Sequence, residues 1–106
     1  MMTITYELFF KVLSNRNRLR IVDLLRKGPK NVTQICQELE LEQSLVSHNL
    51  GCLSNCGFVY ARRNGKAKEY RLDEEAIIPV LEFIDKHLDK YADKFRSCEV
   101  LRDESK

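Results

Sequence analysis

The chain has 106 residues, 43% of them hydrophobic, enough for one domain with a modest core, so that a lone monomer is short of buried surface. It has no run of about 18 apolar residues and no basic-then-apolar leader, so neither a membrane span nor an export signal is expected, and the chain reads as cytoplasmic. A formal net charge of +2 is too small to name a partner, so what matters is where the cations gather, which is residues 62–68.

From the N-terminus, Tyr6, Phe9, Phe10 and Leu13 recur at i, i+3, i+4 and i+7, predicting a first helix that "SNRN" interrupts. Leu19, Val22 and Leu25, widened by Ile21 and Leu24, predict a second helix, buried along most of its length and ended by Lys27-Gly28-Pro29. Asn31 with Gln34 has the form of a capping box, and Val32, Ile35, Cys36 and Leu39 give a short third helix its apolar stripe. After a brief "ELEL" turn, a fourth helix is expected over roughly 43–56. It sets Val46, Leu50 and Leu53 on one side and Ser44, Ser47, His48 and Gly51 on the other. Gly57 is placed to end it in a left-handed conformation. Two β-prone runs, "FVYARR" and "KEYRL", are joined across Asn64-Gly65, which predicts a hairpin with a basic tip. Ile77, Leu81, Ile84, Leu88, Tyr91 and Phe95 then form a heptad seam along a helix of about five turns, with Pro79 in its first turn.

These elements add up to a mainly α fold with a β-hairpin: a winged helix-turn-helix occupying residues 1–106 as a single domain. The helix-turn-helix falls at about 32–56, the wing at about 58–72 and a dimerisation helix at about 77–97. A helix fits the major groove of DNA, and Gln43, Ser44, Ser47 and His48 would form hydrogen bonds to base edges and phosphates. Arg62, Arg63, Lys66 and Lys68 in the wing would neutralise phosphates. Taken singly, each of these residues reads better as an ordinary solvated side chain; the ordered combination points to double-stranded DNA. The seam on the last helix and the aromatic face of the first, Tyr6, Phe9 and Phe10, call for a partner surface, so a homodimer on an inverted-repeat operator is expected. Two histidines, no Gly-rich phosphate loop and no nucleophile-base arrangement leave nothing for an enzyme to use. A winged helix serving only protein–protein assembly is the alternative from another class.

The stretches "FFKVLSNRNRLRIVDLLRKG" and "TQICQELELEQSLVSHNLGCLSNCGFVYARRNGKAKEYRL", with the helix that follows, resemble the ArsR/SmtB family of metal-responsive repressors over nearly the whole chain. The resemblance implies a homodimer that holds an operator until an inducer weakens binding, with Cd, Pb or Zn as inducer and no organic cofactor. The family's Cys-x-Cys site for arsenic and lead falls here on Asn31 and Thr33 and is absent. "LGCLSNCGF" is similar to the cysteine pattern of the CmtR-type cadmium and lead sensors, which implies Cys52, Cys56 and, from the partner subunit, Cys98 as metal ligands.

Spacing supports the first two of these ligands, because residues four apart on a helix have Cβ atoms about 5–6 Å apart and two sulfurs there can reach one soft ion. The family's zinc-type site on the last helix would fall on Asp85, His87 and Cys98, incomplete because Leu101 stands where a further ligand belongs unless Glu99 or Asp103 substitutes. Against both sites stand plainer readings. Cys52, Cys56 and Cys98 can pack as small apolar groups, as Cys36 is read here, and Asp85 and His87 can be a solvated helix face. The same thiols could also serve a redox switch without metal, or a repressor of this fold could sense no ligand at all.

Overall fold

The computed structural model describes residues 2–104, with side chains from Ile4 onward. In chain order the elements are α1 (Met2–Ser14), α2 (Arg16–Leu25), α3 (Val32–Leu39), α4 (Gln43–Asn55), β1 (Val59–Asn64), β2 (Ala67–Leu72), α5 (Ile78–Arg96) and α6 (Glu99–Glu104). Local chemistry sets most of these boundaries. Asn15 interrupts the chain between α1 and α2 and caps α2, its Oδ1 accepting the Arg18 N–H at 3.0 Å. The capping box at the start of α3 is complete: the Gln34 N–H donates to Asn31 Oδ1 at 2.8 Å, and the Asn31 N–H donates to Gln34 Oε1 at 2.9 Å.

The turn between α3 and α4 is made by Glu40 in the left-handed region, at φ 55 and ψ 48, and the Leu41 N–H reaches back to the Cys36 carbonyl at 3.1 Å. Glycine is the usual residue there; glutamate holds the same angles at a steric cost. The end of α4 is a Schellman motif. Gly57 sits at φ 81, its N–H donates to the Ser54 carbonyl at 3.2 Å, and the Phe58 N–H donates to the Leu53 carbonyl at 2.9 Å.

The core is shared by α2, α3 and α4 through Ile21, Val22, Ile35, Val46, Leu50 and Leu53, all under 2% exposed. The hairpin closes over it with Val59 and Leu72, and a short bridge between Lys30 and Tyr70 adds a third strand-like edge. Cys36 packs against this core as a partly buried side chain. Burial of Val59 opposite Leu72 also fixes the hairpin register, pairing Asn64 with Ala67. The turn is therefore Gly65-Lys66, one residue later than the expected Asn64-Gly65. Gly65 takes φ 66 while Lys66 stays negative, the φ signs of a type II′ turn with glycine first.

The expected seam of α5 divides in two. Ile77 and Leu81 are buried in the chain's own core, whereas Ile84, Leu88 and Phe95 are exposed alongside Phe83, which is 79% exposed. On α1, Phe9 packs on the core side, 5.3 Å from the Phe58 ring, and Tyr6 and Phe10 remain exposed. Leu19, expected to be buried in α2, is exposed and lines a groove with Phe10, Ile84 and Leu88. The terminal helices thus project from the core: the radius of gyration is 15.3 Å, against about 13 Å for a compact chain of this size. After α5 the chain breaks at Ser97-Cys98 and forms the short α6, with no counterpart among the expected elements.

Candidate nucleic-acid interface and cysteine pair

Helix α4 buries Val46, Leu50 and Leu53, and that alone turns Gln43, Ser44, Ser47, His48 and Gly51 to solvent on its other side. Its N-cap residue, Glu42, makes no side-chain capping bond, so the first turn of the helix keeps free N–H groups at the exposed tip. In the wing, Arg62, Arg63, Lys66 and Lys68 are all exposed. The register sorts them. Arg62 lies opposite Glu69 and over the Tyr60 ring at 5.9 Å, while Arg63 lies directly opposite Lys68. Like charges in that position repel, and no ion pair among the described residues relieves Arg63. Such a pair suits an external anion.

Cys52 is half-buried and Cys56 exposed, one turn apart on the flank of α4 between its buried and solvent faces. The Cys56 thiol is pushed up from its ordinary value, first by partial desolvation and then by the adjacent Cys52, while the charge of Arg18 acts the other way. Cys56 therefore holds its proton at neutral pH, and a soft ion binding there must displace it. This donor set fits a soft metal in part: two sulfurs at one-turn spacing, with no third ligand nearby. Among the described residues no group of three His, Cys, Asp or Glu side chains is positioned to hold a metal, so Cys98 of the same chain does not join Cys52 and Cys56.

The residues of the zinc-type alternative are likewise not brought together. Asp85 is held by Arg26, whose Nη2 and Nη1 lie 2.6 and 3.4 Å from its two oxygens. That hydrogen bond, with the guanidinium charge, keeps the Asp85 carboxyl below the usual carboxylate range. His87 stacks on Tyr91 at 4.7 Å and approaches Phe95 at 5.9 Å.

One polar group central to this flank was not singled out from the sequence: Asn49, 3% exposed, bonded to Arg18. The available signal was an asparagine wedged between Val46, Leu50 and Leu53 on a helix, which must find a partner if buried.

Helix, tight turn, exposed second helix and basic hairpin, in this order and packing, define a winged helix-turn-helix. The family model described as "Bacterial regulatory protein, arsR family" matches residues 15–61. An arsenical resistance operon repressor of Staphylococcus xylosus is 33% identical, over 74% of this chain and 72% of that protein. A protein of Streptomyces lividans named as a probable mercury resistance operon repressor is 30% identical over 65% of this chain. The match spans 55% of that relative's length. The crystal structure of Rv0081 from Mycobacterium tuberculosis superimposes with a TM-score of 0.80 at 30% identity, covering 91% of this chain and 97% of that one. The homodimeric winged helix-turn-helix DNA-binding domain of Mb0332 from Mycobacterium bovis does so with a TM-score of 0.72 at 31% identity, covering 79% and 78%. The chain belongs to the arsR family of bacterial regulatory proteins. Relatives named as operon repressors agree with the expectation of a regulator rather than an enzyme. No helix of the described residues is long and apolar enough to cross a membrane.

Proposed function

We propose that the chain is a cytoplasmic, homodimeric transcriptional repressor that binds an inverted-repeat operator and is released by a soft metal ion, cadmium, lead or zinc. In this reading α4 enters the major groove with Gln43, Ser44, Ser47 and His48 toward base edges, and Arg63, Lys66 and Lys68 neutralise phosphates beside it, with Arg62 contributing less. The exposed apolar faces of α1 and α5 meet their copies across a two-fold axis, which sets half-sites about one helical turn apart. Cys52 and Cys56, joined by Cys98 of the partner subunit, hold the metal. When bound, such an ion supplies positive charge that stabilises sulfur as thiolate. The observation that carries the metal reading is the pair of free thiols one turn apart on the flank of the reading helix. A thiol redox switch would use the same pair and is the second reading.

Fluorescence anisotropy on inverted-repeat DNA tests this. Binding should weaken steeply with salt and be relieved by Cd²⁺, and thiolate-to-metal absorption should fall in Cys52→Ser, Cys56→Ser and Cys98→Ser. Absence of DNA binding at low salt refutes the repressor reading; wild-type absorption in all three variants refutes the site. Binding indifferent to metal but lost on oxidation selects the redox switch.

A further inference from the structure

Among the described residues Asn49 is the one buried side chain that is polar, 3% exposed within α4. Its Nδ2 donates to the Leu45 carbonyl at 3.0 Å, one turn back in the same helix, and its Oδ1 accepts from Arg18 Nη1 at 3.3 Å. A guanidinium has donors only, so this bond fixes which way round the amide sits. The same guanidinium donates from Nε to the Val12 carbonyl at 2.9 Å and from Nη2 to the Lys11 carbonyl at 3.4 Å. Both carbonyls belong to the last turn of α1, which has no backbone donors for them within the helix. Arg18 is itself anchored at its backbone N–H by the Asn15 cap. Among the described residues α1 and α4 approach each other at few other points. One fork therefore spans from the end of α1, whose aromatic face is exposed, to the middle of the reading helix.

We infer that Arg18 and Asn49 are positioning residues for base reading, their bond setting the roll of α4 about its own axis relative to α1. The inference rests on the DNA-binding reading proposed above, whether or not a metal is sensed. Val46, Leu50 and Leu53 hold α4 on the core by apolar contacts, which have no preferred direction and tolerate a small roll of the helix. A hydrogen bond is directional, and only a partner outside the helix can fix its roll. Side-chain tips stand about 5–6 Å from a helix axis, so a roll of about 20° carries the ends of Ser47 and His48 through about 2 Å. Against hydrogen bonds of about 2.7–3.2 Å that displacement breaks base contacts, whereas the long cationic side chains of the wing still find phosphates. Helix α1 also carries part of the surface proposed for the two-fold interface. The fork therefore refers each reading helix to the dimer axis, and a dimer has to hold two such helices in register with two half-sites. Loss of the bond should cost sequence specificity far more than total affinity.

The test uses the full chain as wild type, Asn49→Leu, Arg18→Met and the double variant, without added metal. The probes are a duplex selected by the wild type from a randomised DNA pool and a shuffled duplex of the same composition, both titrated by anisotropy. Leucine keeps the branched shape of asparagine without its polar atoms, so the fold and the salt-driven binding of shuffled duplex should survive. The ratio of selected to shuffled affinity should fall about 5- to 150-fold in each single variant, the range expected for one lost base-pair contact. In the double variant it should fall no further than in the larger single, because both changes remove the same bond. A merely structural role weakens both duplexes alike and leaves the ratio at its wild-type value, which overturns the inference. Losses that multiply in the double variant also overturn it, since the two residues would then act independently. A wild type that selects no sequence refutes the DNA-binding reading and the inference with it; selection with an unchanged ratio in the variants refutes the inference alone. Should Arg18→Met fail to fold, the ratio in Asn49→Leu decides.

Discussion

Arg63 faces Lys68 across the hairpin with no acidic partner, so its replacement should help the fold and harm DNA binding at once. In Arg63→Thr the cross-strand repulsion disappears and a β-branched residue takes its place, a gain of up to about 1 kcal/mol. For a domain near this size that is a rise in melting temperature of up to about 6 °C. On DNA, each wing phosphate neutralised adds about 0.9 to the slope of log affinity against log salt. Two wings per dimer make the loss about 1.8, so between 50 and 200 mM salt the wild type should lose about 12-fold more affinity than the variant. Differential scanning calorimetry and anisotropy titrations at four or more salt concentrations measure the two effects. Arg62→Thr is the control: Arg62 lies opposite Glu69, so its slope should change less. A variant that melts lower than wild type, or one whose salt slope is unchanged, would show that Arg63 is held by the protein rather than kept for phosphate.

Other positions give equally direct tests. Glu40→Gly removes the strain of a left-handed glutamate and should raise stability by roughly 0.5–1 kcal/mol, seen as a higher urea midpoint at unchanged slope; a lower midpoint would contradict the turn geometry. Asp85 has a depressed folded pKa, so its ion pair with Arg26 stabilises above the unfolded carboxylate pKa and is lost as pH falls through the lower folded value. Asp85→Asn should therefore melt below wild type at neutral pH and converge with it in acid, with cadmium uptake unaltered; reduced uptake would favour the zinc-type site. Phe83→Glu places a charge on the exposed α5 face and should weaken the dimer on the order of 10²- to 10⁴-fold by sedimentation equilibrium with helix content intact. An unchanged dimer would move the interface elsewhere.

What could be read from the sequence follows the range of the interactions involved. The Asn31–Gln34 capping box, the Gly57 stop and the two faces of α4 depend on residues within a few positions of each other, so the pattern contains them. The hairpin turn slipped by one residue because its register is decided at the far end, by burial of Val59 and Leu72 against helices. The heptad seam was visible but not its division, since only the packed core shows that Ile77 and Leu81 are used within the chain. Helix α6 is six residues long, too short for a periodic stripe to form. In the candidate site, the cysteine pair and the basic wing are local patterns and were legible. The Arg18–Asn49 bond joins residues 31 apart, and nothing near either one predicts the other.

The Schellman turn at Gly57 also has mechanical weight. Only Cys56, Gly57 and Phe58 separate the reading helix from the first strand of the wing, and the bond from Phe58 to the Leu53 carbonyl clamps that joint shut. Helix and hairpin therefore move as one lever with Cys56 at its pivot. A force applied at the pivot swings the base-reading and phosphate-gripping arms together, so sequence-specific and non-specific affinity should fall in step. Release would then be full departure from DNA, with no residual sliding along it.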